Sequence, residues 1–229
     1  MEHTLIRPAN GNEYVGHVPV GQLTGTGTFR CAKNGDVYTG EYEGHRFHGI
    51  GEHTWSDGDA YRGQFEGGWR EGDGVYTWAS GMIHRGQYKG DKMEGNGVLT
   101  WANGDVYRGQ FKEGESEGDG VYTFADGRVY CGQYRAGERE GYSVFTFADG
   151  RQTFDRLKGG EEVSSVPFDV ANAAHAAVLR AANEAEARRV GTLHPRRQRS
   201  AHSMCGAGSG ERRGSMGRSC GGARRAARA

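Results

Sequence analysis

The chain has 229 residues, 41 of them glycine, and only 35% are hydrophobic, against ~45–50% in an average domain, so a large conventional core is excluded. Four prolines and no every-third glycine exclude collagen, and no run of about 18 apolar residues offers a membrane-spanning helix. The formal net charge of zero hides a net of −8 over residues 1–190 and +8 over residues 191–229, so an acidic body and a basic tail have to be read separately.

Residues 1–13 form a lead-in. Their sequence, MEHTLIRPANGNE, carries no basic-then-apolar leader, and a cytoplasmic chain with reduced thiols is expected. Cys31, Cys131, Cys205 and Cys220 are spaced too widely for a zinc pair or a secreted disulfide framework.

From residue 14 to about 158 the sequence repeats. Glycine recurs at 40, 63, 86, 109 and 132, at 49, 72, 95, 118 and 141, and at 58, 81, 104, 127 and 150, each series stepping by 23. A fourth series, Gly51, Gly74, Gly97 and Gly120, lapses at Ser143. Fixed self-similarity of this length marks a repeat array, and six units fit: 14–36, 38–60, 61–83, 84–106, 107–129 and 130–152.

Each unit reads as two strands. Tyr38, Gly40 and Tyr42 alternate onto one face, as do Gly49, Gly51, His53 and Trp55. Asp57-Gly58 and its counterparts Asn34-Gly35, Ser80-Gly81, Asn103-Gly104, Asp126-Gly127 and Asp149-Gly150 predict tight hairpin turns. The other connection, Gly44 to His48, reads as longer and charged. Nineteen of the 24 aromatic residues fall in four columns on one face, with Arg62, Gln64, Val75 and Thr77 on the other. The predicted fold is an all-β, single-layer antiparallel meander of about twelve strands, each ring lying over a neighbouring strand's glycine. The last unit is expected to lapse at Phe154-Asp155.

Tyr61-Arg-Gly-Gln-Phe65, Gly72-Asp-Gly74-Val-Tyr-Thr-Trp78 and Ser80-Gly81 resemble the MORN (membrane occupation and recognition nexus) repeat. The resemblance recurs six times over residues 14–152, about 60% of the chain. His84, Leu99 and Ser143 depart from the pattern. The resemblance implies a hairpin meander used for protein contacts, scaffolding and membrane–cytoskeleton organisation. Such repeats occur in junctophilins, radial-spoke head proteins, parasite cytoskeletal proteins and plant phosphatidylinositol phosphate kinases.

Residues 166–190 are alanine-rich and end before Gly191, which predicts one α-helix, expected to dock on the last repeats. Residues 191–229, made of Arg, Gly, Ser and Ala, read as disordered. Arg196, Arg197, Arg199, Arg212 and Arg213 are candidates for an electrostatic contact, with anionic lipid among the partners weighed. Ser200, Ser215 and Ser219 follow arginines and are candidate phosphorylation sites, each phosphate lowering the local charge by about 1.5 to 2.

No residue is assigned to catalysis, a cofactor or a metal. His48 and His53 occupy repeat slots, which explains both without zinc, and the Gly-x-Gly pairs lack the Lys-Ser/Thr of a phosphate loop. Cys31 reads as a small buried hydrophobe, and Cys131, in the slot of Arg62, Arg85 and Arg108, as an accessible thiol. Phe47 and Trp69 break the columns in the longer connections and are candidate partner contacts. Together these features predict a non-enzymatic scaffold or adaptor for other proteins in a cytoskeletal, ciliary, flagellar or membrane-cortex assembly. A phospholipid-associated module or an accessory of a phosphoinositide kinase is the alternative. No specific nucleic-acid contact is expected, and unpaired terminal strands offer a homodimer contact.

Overall fold

The computed structural model describes residues 4–17 and 22–165. The alanine-rich segment 166–190, the basic tail 191–229 and the residues singled out in that tail lie outside the described residues. Fifteen strands make one sheet in which each strand pairs antiparallel with its neighbours in sequence. They are β1 (Thr4–Ile6), β2 (Glu13–Gly16), β3 (Gly25–Arg30), β4 (Val37–Glu43), β5 (Arg46–Thr54), β6 (Ala60–Glu66), β7 (Trp69–Thr77) and β8 (Ile83–Lys89). The run continues with β9 (Lys92–Thr100), β10 (Val106–Lys112), β11 (Glu115–Thr123), β12 (Val129–Arg135), β13 (Glu138–Thr146), β14 (Gln152–Lys158) and β15 (Glu161–Ser165).

The meander is thus longer than the twelve strands expected from the glycine grammar. It begins inside the lead-in, where Leu5 pairs with Val15. It also continues through Phe154-Asp155, which pair with Val144 and Ser143. Backbone pairing does not need the side-chain pattern to persist, so the ladder outlasts the repeat.

The two connections also exchange lengths relative to expectation. Gly44 and His45 alone join β4 to β5, both with positive φ (55° and 67°). That is a two-residue turn whose twist matches the strands it joins. The Asp57-Gly58 side is the longer: strand pairing stops at Thr54 and Ala60, and Gly58 donates to the Trp55 carbonyl at 3.1 Å. Phe47 and Trp69 therefore stand in strands β5 and β7, not in loops.

Glycine does two different jobs in the sheet. Gly40 faces Gly51 across β4 and β5, and the Tyr38 ring lies over the pair so closely that a Cβ at Gly51 would overlap it. Tyr61 covers Gly63 and Gly74 in the same way, Tyr107 covers Gly109 and Gly120, and Tyr14 covers Gly16 and Gly27. The register then slips after the first glycine of the Tyr38, Tyr61 and Tyr107 pairs, at Gly40/Glu41, Gly63/Phe65 and Gly109/Gln110. At these bulges the tyrosine hydroxyl donates to the freed carbonyl: Tyr38 to Glu41 at 2.9 Å, Tyr61 to Gln64 at 3.1 Å and Tyr107 to Gln110 at 3.0 Å. Gly72, at φ 63°, sits within the β7 bulge with the Gln64 side chain folded over it. The tyrosine hydroxyl at each of these bulges thus satisfies a part-buried carbonyl.

The core lies on one face of this single layer. Tyr14, Tyr38, Tyr61 and Tyr107 are almost fully buried there with Tyr42, Phe65, Tyr88 and Phe111. Rings of successive units meet edge to face, Tyr38–Phe65 at 5.2 Å, Tyr61–Tyr88 at 5.1 Å and Tyr107–Tyr134 at 5.0 Å. Such pairs add ~0.5–1.5 kcal/mol each beyond area burial. Units therefore hold one another through nearest neighbours, as repeat arrays do.

Both edges are laced from unit to unit. Asp36, Asp59 and Asp105 accept from the backbone N–H groups of Ser56, Ala79 and Ala125, at 3.0, 2.9 and 2.8 Å. On the opposite edge Glu71, Glu94, Glu117 and Glu140 accept from Gly90, Glu113, Ala136 and Gly159, each at 3.0 Å. These acidic series are thus structural couplings between units.

Candidate interaction face

A fifth column runs along the aromatic face at the start of the second strand of each unit: Phe47, Arg70, Met93, Ser116 and Arg139. Phe47 stacks flat on Tyr38, with ring centroids 3.7 Å apart and planes 6° apart. Its ring is committed to the core, so the structure separates it from Trp69, which is 57% exposed at the β7 edge.

Arg70 holds the most elaborate position. Its guanidinium carbon is 5.9 Å from the Trp55 ring, 5.7 Å from Tyr61, 4.9 Å from Tyr76 and 5.6 Å from Tyr88. Asp91, at the β8–β9 turn, takes the Arg70 Nε–H at 3.0 Å, and both side chains are largely buried. Attraction to ring faces strengthens as the cation is desolvated, and the carboxylate keeps the buried charge paired. Sequence reading missed this site, because Arg70 occupies a column with no shared residue type, the other units placing Phe47, Met93, Ser116 and Arg139 there.

Outside this column the face is graded. The inner tyrosines are buried, whereas Trp55, Trp78, Trp101, Phe124 and Phe147 are half-buried. Tyr76 and Tyr122 donate to Asp59 and Asp105 at 2.6 and 2.7 Å. The hydrogen bond from Tyr122 holds the Asp105 carboxyl below the usual carboxylate range. Among the described residues no second layer packs across this face.

His84 stands in the tyrosine column, fully buried. Its Nδ1 is 2.7 Å from the Tyr88 hydroxyl, while Nε2 has no partner. Burial, with help from Arg70, pushes its pKa down to about 3, so the ring is neutral. His53, half-buried beside Trp55, falls to about 4, chiefly from burial. His45 is in a turn and His48 pairs with Glu43 at 3.3 Å. Among the described residues no group of three or more His, Cys, Asp or Glu converges as a metal site.

The opposite face corrects one expectation. Cys131 is only 4% exposed. Val121 and Val144 flank it in register on β11 and β13, with Val129 and Phe154 packed alongside. Desolvation pushes its thiol up to about 11, which disfavours the reactive thiolate. The Arg slot of other units takes a small apolar side chain here, in a cluster that Phe154 of β14 helps to close. Cys31 is 3% exposed.

The MORN repeat model matches residues 38–60, 61–83, 84–106, 107–127 and 130–150 in succession. No curated protein matches the chain. Among solved structures, the TCP domain of Drosophila melanogaster SAS-4, in complex with a proline-rich motif of Ana2, is similar at 14% identity and a TM-score of 0.37, covering 72% of this chain and 90% of that one. The TCP10 domain of Danio rerio CPAP is similar at 10% identity and a TM-score of 0.29, covering 72% and 88%. Likeness at this level does not extend to function. The five consecutive matches coincide with the hairpins of β4 to β13 and their covering rings, and the chain is a MORN-repeat protein.

Proposed function

We propose that this protein is a non-enzymatic interaction scaffold that holds partner proteins along its aromatic face, with Trp69 contributing at the edge. The observation that carries the reading is the half-buried outer column, Trp55, Trp78, Trp101, Phe124 and Phe147, running unit after unit beside a closed inner core. Contiguous part-exposed aromatics are a feature of binding surfaces. A cytoplasmic setting in a cytoskeletal, ciliary or membrane-cortex assembly follows the family resemblance.

The test uses tagged full-length protein as wild type, as Trp78→Ala/Trp101→Ala, and as Arg62→Ala/Gln64→Ala on the opposite face, with circular dichroism to confirm the sheet. Partners recovered by chemical cross-linking should be retained by the opposite-face variant and fall at least ~10-fold with the double tryptophan variant, as loss of a hot spot does. Equal recovery by all three proteins overturns the proposal.

A further inference from the structure

The outer aromatic column changes character between Trp78 and Trp101. In the intervals before and after, a tyrosine fills the space. Tyr76 lies between Trp55 and Trp78, with ring centroids 5.4 and 4.4 Å away. Tyr122 lies between Trp101 and Phe124, at 5.2 and 4.7 Å. Their hydroxyls donate to Asp59 and Asp105. In the interval between Trp78 and Trp101 both members of that pair are replaced, Tyr by Leu99 and Asp by Met82. Both pack against the same core, and Leu99 is 9% exposed. Two half-buried indoles thus flank a stretch floored by aliphatic side chains, with no tyrosine ring in it.

The spacing along the column is set by the sheet. Trp55, Trp78 and Trp101 each open an equivalent turn, their backbone N–H groups bonded to the carbonyls of Asp59, Met82 and Asp105, all at 2.9 Å. One unit is two strands, about 9.6 Å at ~4.8 Å per strand. A polyproline II segment advances ~9.3 Å per three-residue turn, so every third residue keeps step with the units. An α-helix climbs ~10.5 Å in the seven residues that return it to the same face, and in an extended strand the third residue points the opposite way. Polyproline II also leaves its carbonyls without internal partners, and each indole brings an N–H donor. Charge selects further. Asp36, Asp57 and Asp59 stand against Lys33 at the Trp55 end, whereas beyond Trp101 the turn residues Asp126 and Asp149 are paired with Arg128 and Arg151. Arg70, against Trp55 and Tyr76, is itself paired with Asp91.

We propose that the interval between Trp78 and Trp101, floored by Leu99 and Met82, is a binding slot for a proline of a polyproline II segment in a partner protein. One proline enters between the two indoles. Those three residues to either side meet the far sides of Trp78 and Trp101, beside Tyr76 and Tyr122. A basic residue at one end of the segment lies toward Asp57 and Asp59. Aromatic-lined grooves take such segments because the preformed helix has little entropy left to lose. The chain's own prolines, Pro8, Pro19, Pro167 and Pro195, are nowhere three residues apart, so the occupant is another chain. The proposal rests on the scaffold reading of this face and names the class of partner.

The experiment uses full-length ¹⁵N-labelled protein and reads the indole N–H resonances of Trp78 and Trp101, with Trp69 as internal reference. Three synthetic peptides are titrated, each carrying two N-terminal arginines. The first has prolines at every third position, the second has them at every fourth, and the third is an amphipathic helix. The first should shift Trp78 and Trp101 saturably, with a Kd below ~1 mM, and leave Trp69 in place. The other two should bind at least ~5-fold more weakly, as the loss of one well-seated side chain implies. Met82→Asp/Leu99→Tyr, which copies Asp59 and Tyr76, should fill the slot and weaken the first peptide at least ~10-fold. The comparison among peptides is made on the wild-type protein and stands whether or not that variant folds. No response to the first peptide, an equal response to all three, or binding by the folded variant at wild-type strength overturns the assignment. A failed titration leaves the cross-linking result for Trp78→Ala/Trp101→Ala untouched, so this proposal and the scaffold reading fail separately.

Discussion

Arg70 makes three hydrogen bonds to a single residue, Asp91: its backbone N–H and Nε–H both reach Oδ1, at 2.8 and 3.0 Å, and Nη2 reaches the main-chain oxygen at 2.7 Å. The Asp91 N–H returns a bond to the Arg70 carbonyl at 3.1 Å. One guanidinium thus ties β7 to the turn after β8 while covering four rings. Asp91→Ala strands that charge and places a Cβ-bearing residue without a side-chain acceptor at φ 71°. It should destabilise by about 3 kcal/mol. Asp91→Gly, free of the backbone penalty, should cost about 1 kcal/mol less. Arg70→Met/Asp91→Gly, which copies Met93 and Gly114 of the next unit and strands no charge, should be the mildest. Urea unfolding of the three variants checks the order.

Two glycines separate steric from conformational causes. A Cβ at Gly74 would overlap the Tyr61 ring, whereas at Gly90, φ 54°, nothing stands within 4 Å. Gly74→Ala should therefore cost about 2–4 kcal/mol as a severe packing lesion. Gly90→Ala should cost only about 1 kcal/mol, for the left-handed backbone. Similar melting midpoints for the two would mean that the rings do not rest on bare backbone.

Acid should weaken the sheet through His84. Its folded pKa, about 3, lies below the ordinary value of 6.5. On acidification the unfolded chain takes up a proton that the folded ring refuses. Stability is therefore fully present above pH ~6.5 and lost as pH falls toward ~3, at up to about 1.4 kcal/mol per pH unit. His53, lowered to about 4, acts in the same direction with a smaller share because it is only half-buried. His84→Tyr, restoring the residue used at Tyr61 and Tyr107, should flatten the profile between pH 6 and 4 in thermal melts. An unchanged slope would show that the carboxylates dominate acid unfolding.

The edge lacing predicts a local effect. Glu117→Ala removes the acceptor for the Ala136 N–H, whose residue has φ 49°. It should cost about 1 kcal/mol, typical of one exposed hydrogen bond to a charged group. Amide exchange should accelerate at the β12–β13 turn and leave β4 and β5 unaffected. Glu117→Gln should restore most of the protection, since the amide oxygen still accepts.

The 23-residue glycine period and the aromatic columns were sufficient to read an antiparallel meander with its rings on one face, because alternation along a strand assigns faces from the sequence alone. Tyr38 over Gly51 follows from that alternation together with the space a glycine leaves. Turn length did not follow: Gly44-His45 and Asp57-Gly58 both carry turn residues, and only the register slip after Gly40 decides which connection is tight. Cys131 sits in an arginine slot whose burial depends on Val121 and Val144 of the flanking strands and on Phe154 of the strand beyond. Arg70 and Asp91 are 21 positions apart and meet only because each hairpin packs against the next. Periodicity records what every unit shares, whereas these contacts arise where one unit differs from its neighbours, and only the folded array brings the two members of such a pair together.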